Sequence, residues 1–375
     1  MLLEGLQQYF SKIEETLCHN ILWVVEALLK SGSANTSKIA LALSQLKGIS
    51  FKAGDMAVYR LLSNPAFKVG RVLLRCYVKL IFSLLQERAE LKKGDTVYLQ
   101  VDFTSERDHF QILVVSVLLG YKAIPLYFSM RRYPKKKGQY DQKKMEKAFI
   151  EALKHDLSKQ YRYVIVADRG FGNERFLKLC EAAGFEYLIR LEPNLKIRYK
   201  NQEGIMSKVI KKRGKFEVEI LNWERTETLL RNQEKGQVWY LVTSLKDIEQ
   251  AEGVKNYRKR FRIEKVFQDL KSSGFDLEET KIKSYSRFKR MFFLCCLAYS
   301  LMVLQGDSLE QEQAEWKKKL TNVSKKVHSV FQLARRYIEY YTEEFDRTIR
   351  ELIERLVERL KPGGRRGVCC PVVTN

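Results

Sequence analysis

Four polar residues in the segment 256–271 have types and spacing that could act on a negatively charged substrate. They are Tyr257, Arg260, Glu264 and Lys271. On an α-helix, which advances about 100° per residue, these positions fall within about 60° of one another. The carboxylate of Glu264 would then be flanked by two cations, an arrangement suited to a polyanion with metal ions. A surface helix with scattered charges would show the same residues, and this alternative stands unless the rest of the chain supplies partners for Glu264.

Two aspartates upstream are candidates for those partners. Asp102 lies inside the apolar run Val97 to Phe103, and Asp168 ends the apolar run Tyr163 to Asp168. An unpaired carboxylate on a buried strand is costly, so it normally accepts hydrogen bonds or binds a cation. An aspartate at the end of a strand can also simply cap a turn. If the two strands are neighbours, Asp102 and Asp168 lie close together.

Three carboxylates that converge repel one another unless cations lie between them. With Glu264 on a helix packed against the sheet, Asp102 and Asp168 would form such a group, and two Mg²⁺ ions would relieve the repulsion. Ligands that are all oxygen favour Mg²⁺ or Mn²⁺ over zinc. A centre of this kind carries out phosphoryl transfer, in which one metal orients the attacking oxygen and the other stabilises the leaving oxygen.

The elements that must position these carboxylates follow from the apolar patterning. Three strands at hairpin spacing, a helix to about His155, a strand, a turn with a helix ending at Gly184, and a final strand are predicted. The predicted strands cover residues 97–103, 110–120, 123–130, 163–168 and 185–191. This order predicts a mixed α/β sheet with an antiparallel meander and with helices on its faces. In the segment 256–271, Ile263, Phe267 and Leu270 form the apolar stripe that would pack on this sheet.

The remaining chain divides into regions of different patterning. The predicted regions are a helical, DNA-binding region 1–95, a catalytic domain in two parts, 96–190 and 257–305, a β-rich insertion 191–256, and a helical C-terminal region 306–375 whose tail from Pro362 is disordered. Within the first region, two short helices resemble a helix-turn-helix that would place Tyr59 and Arg60 near DNA. A plain helical bundle is the alternative.

The amino-acid composition limits the kinds of partner and the cellular compartment that can be expected. The 375 residues include 68 Lys and Arg against 45 Asp and Glu, a net charge of +23, which favours nucleic acid first and an anionic membrane surface second. Seven cysteines without a CxxC ladder and only four histidines argue against a disulfide framework or a zinc site. The longest apolar run, residues 291–304, is too short to span a bilayer. These features predict a soluble, cytoplasmic protein.

The order of the three carboxylates resembles a known family. Asp102 on a strand, Asp168 at a strand end and Glu264 on a helix resemble the DDE triad of RNase H-like bacterial transposases. The spacing from Tyr257 to Lys271 is similar to the Y-(2)-R-(3)-E-(6)-K signature of the insertion-sequence-four group. The turn at Asp168 to Phe171 and the β-rich insertion before Glu264 are also similar to that group. The resemblance covers about residues 96–304.

The resemblance implies a role for each residue. Asp102, Asp168 and Glu264 would hold the metals, and a second group would bind the transposon-end strand. That second group contains Tyr257, Arg260 and Lys271, together with Trp239 as a stacking platform for a base flipped out of the duplex. Trp223 could provide the stacking instead, and a tryptophan that alternates within a strand can also be simply core.

The implied activity is a DNA transposase with double-stranded DNA as its partner. It would cleave the terminal repeats of its own element and join the freed 3′-hydroxyls to target DNA, acting as a homodimer in a synaptic complex. Two other interpretations remain open. One is a different RNase H-like nuclease or integrase with the same triad, and the other is a catalytically inactive DNA-binding protein derived from such an element.

Overall fold

The computed structural model describes residues 15–87, 91–106, 109–133, 142–234, 236–311, 331 and 334–335. Two compact units are present, one drawn from Met1–Glu90 with Leu301–Asn375 and the other from Leu91–Ser300. Most of the predicted helical region 306–375 lies outside the described residues, as does its predicted tail. Within the described ranges, no helix has the length and apolar character needed to cross a membrane.

Within residues 15–87, the described structure of the first unit consists of four helices. They are α1 (Glu15–Ser31), α2 (Thr36–Lys47), α3 (Phe51–Ser63) and α4 (Arg71–Glu87). Polar caps set the start of the two short helices, since the side chain of Asn35 accepts from the Ser37 N–H and that of Ser50 from the Ala53 N–H. These helices and the short connections between them make up the described part, residues 15–87, of the region predicted to be helical.

Helices α2 and α3 cross at a glycine. A Cβ on Gly54 would lie 2.6 Å from the carbonyl oxygen of Ala40, so only glycine permits the observed approach. Tyr59, on the outer face of α3, is 50% exposed, and Arg60 beside it is also exposed. The helix pair predicted from the sequence is present, while its binding to DNA stays a prediction.

The second unit is built on one ten-stranded sheet with the order β3-β2-β1-β4-β5-β10-β9-β8-β6-β7. Its first five strands are β1 (Thr96–Glu106), β2 (Phe110–Leu119), β3 (Lys122–Arg132), β4 (Arg162–Ala167) and β5 (Glu186–Arg190). The β1-β2-β3 meander is antiparallel, whereas β1, β4 and β5 run parallel. The predicted mixed sheet, the meander and the pairing of the first strand with the fourth are confirmed.

The segment between residues 190 and 250 extends this same sheet. It contributes β6 (Lys196–Tyr199), β7 (Gln202–Ile205), β8 (Gly214–Ile220), β9 (Arg225–Glu234) and β10 (Gln237–Thr243). Strand β10 pairs antiparallel with β5, with Leu241 opposite Arg190. The β-rich character is therefore as predicted, but its strands continue the sheet edge at β5. The sequences of β6, β7 and β9 are polar and lack a continuous apolar run, so these strands depend on pairing with their neighbours in the sheet.

Six helices accompany the sheet in sequence. They are α5 (Gln142–Asp156), α6 (Glu174–Ala183), α7 (Met206–Val209), α8 (Gln250–Arg258), α9 (Arg262–Lys271) and α10 (Tyr285–Gln311), which continues into the first unit. The single helix predicted over residues 256–271 is wrong in one respect, since a 3₁₀ turn, Lys259–Phe261, separates α8 from α9. The dihedrals at Lys259 and Phe261 stay in the right-handed helical region, so the chain continues in a tighter turn.

Candidate active site

The two aspartates lie on adjacent parallel strands. The register of β1 and β4 pairs Val101 with Ala167, which brings the next residues, Asp102 and Asp168, to the same level of the sheet. Strand β4 ends at this point because Asp168 caps a 3₁₀ turn, its Oδ1 accepting from the Arg169 N–H at 2.7 Å. Asp168 therefore does form the turn cap considered from the sequence, and it does so next to Asp102.

Two phenylalanines that follow the aspartates pack against each other. The rings of Phe103 and Phe171 are stacked, with 5.3 Å between their centroids and 4° between their planes. Phe171 is buried at the end of the turn that Asp168 caps. The stacked pair therefore joins the segment after Asp102 to the turn after Asp168. Sequence reasoning missed this contact, although each ring stands within three residues of an aspartate.

Arg260 links the carboxylates of β1 and α9. One terminal nitrogen of its guanidinium donates to Asp102 Oδ2 at 3.0 Å, and the other donates to Glu264 Oε1 at 2.7 Å. The side chain of Arg260 is 3% exposed, whereas those of Asp102 and Glu264 are 22% and 53% exposed. The cation thus lies beneath the surface, and Glu264 reaches down to it from the solvent side.

The electrostatic environment of Asp102 includes the charges of the other two carboxylates. Burial raises the pKa of Asp102, while the Arg260 guanidinium and the Phe103 N–H oppose this rise. The neighbouring charges of Asp168 and Glu264 raise the pKa of Asp102 further. The charges at the end of β4 and on α9 therefore act on the carboxylate of β1.

Tyr257 contacts the site from the protein core. Its hydroxyl donates to Asp168 Oδ1 at 3.4 Å, and its side chain is 0% exposed. Burial raises the pKa of Tyr257, so the phenol remains a proton donor. The helical spacing of Tyr257, Arg260, Glu264 and Lys271 predicts that all four side chains face away from the core. This prediction is wrong for Tyr257 and Arg260, because the tyrosine packs in the core and the arginine turns toward two carboxylates. Glu264 is exposed as predicted.

Lys271 connects the C-terminal end of α9 to β1. Its Nζ donates to the Ser105 carbonyl oxygen. The predicted apolar stripe of α9 is confirmed, with Ile263, Phe267 and Leu270 buried against the sheet side. Helix α9 is thus held to β1 by a polar contact near each end as well as by its apolar face.

The two tryptophans considered for base stacking lie in different environments. Trp239, on β10, is 6% exposed and belongs to an apolar cluster that includes Tyr257. Its Nε1 has no hydrogen-bond partner in the described part of the chain. Trp223, in the 3₁₀ turn Leu221–Trp223, is half-buried. The stacking role of either residue stays a prediction.

The donor chemistry of the site suits a divalent cation. The carboxylates of Asp102, Asp168 and Glu264 offer only oxygen, the ligand type that Mg²⁺ and Mn²⁺ prefer. Among the described residues, however, no group of three or more His, Cys, Asp or Glu is arranged to hold a metal ion. The guanidinium of Arg260 supplies the positive charge between Asp102 and Glu264 in this arrangement. The residues therefore fit a divalent cation in ligand type, with Arg260 standing between two of them.

Part of the chain matches a family of known activity. Residues 136–301 match the family described as the transposase DDE domain, a span that contains Asp168 and Glu264 and begins after Asp102. This match supports a DDE transposase and a DNA-cleaving activity, and the matched family generally uses divalent metals. No curated protein matches the sequence.

Two solved structures of Ciona intestinalis endonuclease V in complex with inosine-containing DNA are similar to part of the chain. Each is 12% identical and covers 48% of this chain and 87% of its own, with TM-scores of 0.26 and 0.27. A likeness at this level carries no argument about the activity of this chain.

Proposed function

We propose that this protein is a DNA transposase whose catalytic carboxylates are Asp102, Asp168 and Glu264. The observation that carries the proposal is that the buried guanidinium of Arg260 joins Asp102 on β1 to Glu264 on α9, while Asp168 follows the neighbouring strand β4 at the level of Asp102. The match to the transposase DDE domain supports the same conclusion for the two residues that it covers.

The proposal extends to the fold and the group. The strand order β3-β2-β1-β4-β5 with β1, β4 and β5 parallel is the arrangement expected of an RNase H-like sheet. The spacing of Tyr257, Arg260, Glu264 and Lys271 favours the insertion-sequence-four group of cut-and-paste transposases over other RNase H-like nucleases. We therefore propose that the DNA partners are the terminal repeats of an element and a target duplex. Two copies of the chain would bind them.

The reaction has two phosphoryl transfers of the same kind. In the first, the oxygen of a water molecule bonds to a phosphorus at the element end and the bond to the 3′ oxygen breaks, which leaves a 3′-hydroxyl. In the second, this hydroxyl bonds to a phosphorus of the target, and one target strand leaves with its own 3′-hydroxyl. One site can perform both steps because each is an in-line displacement at a phosphodiester.

Asp102, Asp168 and Glu264 would hold two Mg²⁺ or Mn²⁺ ions, which when bound activate the attacking oxygen and offset the negative charge on the leaving one. The other residues orient this set. Tyr257 donates to Asp168, and Lys271 anchors α9 to β1, so that Glu264 stays over the two strand aspartates. We propose that Arg260 and Lys271 also contact the transposon-end strand through its phosphates, whereas the buried Tyr257 acts through Asp168.

The test is DNA cleavage by the purified full-length chain. The substrate is an end-labelled duplex that carries the DNA bordering the gene on each side, incubated with Mg²⁺. We expect nicking at the element end and joining to a plasmid target by the wild type, and loss of both by Glu264→Gln.

The matched control is Glu252→Gln, the same chemical change on the exposed face of α8. It should cleave like the wild type. Equal cleavage by Glu264→Gln and the wild type would refute the assignment of Glu264. Cleavage without joining would favour an RNase H-like nuclease, and duplex binding without either reaction would favour a catalytically inactive DNA-binding protein.

A further inference from the structure

We propose that Arg260 is a displaceable counter-ion that holds the place of a divalent cation between Asp102 and Glu264. In this proposal the guanidinium contacts and metal binding exclude each other, so that a metal enters only as Arg260 leaves. The inference rests on the proposed function because it assigns a metal to the same carboxylates. It adds a role for Arg260 in the protein without metal or DNA.

The hydrogen bonds of Asp102 support mutual exclusion. Its Oδ2 accepts from Arg260 at 3.0 Å, and its Oδ1 accepts from the Phe103 N–H at 2.8 Å. Both oxygens of this carboxylate are therefore engaged. The second terminal nitrogen of Arg260 binds Glu264 at 2.7 Å, so one planar cation spans the two acids. A metal that bridged Asp102 Oδ2 and Glu264 Oε1 would have to take this position from the guanidinium.

The surroundings of Arg260 give its guanidinium a route to the solvent. The side chain is 3% exposed, and its Nε has no hydrogen-bond partner among the residues that the structure describes. A buried N–H without a partner costs free energy, which is recovered when the group reaches water. The guanidinium lies 4.6 Å from the ring centroid of Phe261, which is 37% exposed, and it also contacts the exposed Glu264. Both neighbours border the solvent side, toward which the guanidinium can move.

The negative charges of the site explain why a cation of the protein itself would occupy the position of the metal. The negative charges of Asp168 and Glu264 act on the carboxylate of Asp102, which is largely shielded from water. A single positive charge from the chain itself stabilises the carboxylates in place until an ion of charge two replaces it. Once released, Arg260 would be available to a phosphate of bound DNA.

The experiment measures metal affinity without DNA. Mn²⁺ alone is titrated into the full-length wild type, Arg260→Gln and Arg258→Gln, and free Mn²⁺ is followed by its electron paramagnetic resonance signal. Arg258 lies two residues away and forms an ion pair with Glu234 at 2.6 Å on the surface, so its change removes the same charge without touching the site. We expect Arg260→Gln to bind Mn²⁺ at least about tenfold more tightly than the wild type. Arg258→Gln should stay within about twofold of the wild type.

Equal Mn²⁺ affinity of the wild type and Arg260→Gln would overturn the proposal, and so would weaker binding by Arg260→Gln or no binding by any of the proteins. If Arg260→Gln does not fold, Arg260→Lys replaces it, since a lysine cannot span both acids and should also bind Mn²⁺ more tightly. The outcome is separable from that of the cleavage test. Cleavage that depends on Glu264, together with equal Mn²⁺ affinities, would support the transposase proposal and overturn the counter-ion proposal. Tighter Mn²⁺ binding by Arg260→Gln without cleavage by the wild type would support the counter-ion proposal and overturn the transposase proposal.

Discussion

The indole of Trp239 lies edge-on against the phenol ring of Tyr257, with 5.4 Å between the ring centroids and 64° between the planes. Tyr257 in turn donates its hydroxyl to Asp168. A strand of the distal half of the sheet is therefore connected through two aromatic rings to a candidate catalytic carboxylate. Because Trp239 is buried among apolar side chains, its contribution in the free protein is to hold Tyr257 in place.

Replacing Trp239 should therefore affect stability according to ring volume. Trp239→Ala should lower the free energy of unfolding by about 3–5 kcal/mol, since it leaves a cavity under α8. Trp239→Phe should cost markedly less, because the indole N–H makes no hydrogen bond that would be lost. Urea unfolding followed by circular dichroism measures both. A cost for Trp239→Phe as large as that for Trp239→Ala would show that the indole N–H has a partner.

Removing Arg260 should destabilise the metal-free protein. Arg260→Ala leaves the carboxylate of Asp102 without its counter-ion in a largely buried position, and we expect a loss of about 3–5 kcal/mol. Arg258→Ala breaks a surface pair and should cost about 1 kcal/mol or less. The comparison is made by urea unfolding with a chelator present. Similar losses for the two variants would contradict the buried role of Arg260.

The stability of the protein should depend on pH through Asp269. Burial raises the pKa of this carboxyl above 3.8, and the Lys265 ammonium, 2.9 Å away, only partly opposes the rise. Between the unfolded and folded values the folded state binds more protons, so this group makes the free energy of unfolding fall as pH rises. The effect of Asp269→Asn on stability should therefore become more favourable as pH rises from about 3.8 and level off above the folded pKa.

Urea unfolding of the wild type and Asp269→Asn at a series of pH values measures this difference. A trend in the opposite direction would mean that the pair with Lys265 outweighs the burial of the carboxyl.

The crossing of α2 and α3 should not accept a methyl group. Gly54→Ala improves helix propensity by up to about 1 kcal/mol, but its Cβ would meet the Ala40 carbonyl oxygen at 2.6 Å. We expect a net loss of about 1–3 kcal/mol, measured by thermal unfolding. Gly70→Ala is the control, since a Cβ there meets nothing within 4 Å. Stabilisation by Gly54→Ala would show that the helices separate easily.

Asp102→Asn should separate DNA binding from cleavage. The change removes one negative charge that faces the phosphates, so affinity for the labelled duplex should be equal or higher. Cleavage should fall by about 100-fold or more, because the change removes a ligand charge from the metal centre. Fluorescence anisotropy in the presence of Ca²⁺ measures the affinity and a gel assay measures cleavage. Loss of both activities together would point to a structural role for Asp102.

Much of the sheet could be predicted because its central strands are unusually apolar. The predicted strands 97–103 and 163–168 correspond to β1 (Thr96–Glu106) and β4 (Arg162–Ala167), and the neighbouring positions of Asp102 and Asp168 follow from the parallel pairing. The distal strands could not be predicted in the same way. Strand β7, for example, is Gln202–Ile205, a short edge strand with no apolar pattern, whose conformation depends on pairing with β6.

The candidate site was only partly accessible to sequence reasoning. Helical periodicity places Tyr257 and Arg260 on the same stripe as Glu264, but it does not say which members of a polar stripe turn inward. Tyr257 is buried because Trp239, on a strand adjacent to β5, lies beneath it. Arg260 is buried because Asp102 provides a partner 158 residues earlier in the chain. Contacts of this range depend on the assembled sheet and leave no local signal.

The continuous sheet also has a consequence for the timing of assembly. Asp102 and Asp168 belong to strands made early, whereas Arg260 and Glu264 follow β10, which must first pair with β5. A chain still emerging from the ribosome carries both aspartates but neither the guanidinium nor the third carboxylate. The candidate nuclease centre thus matures late in synthesis, after its scaffold has formed, and an incomplete chain that ends before α9 would be unable to cut DNA.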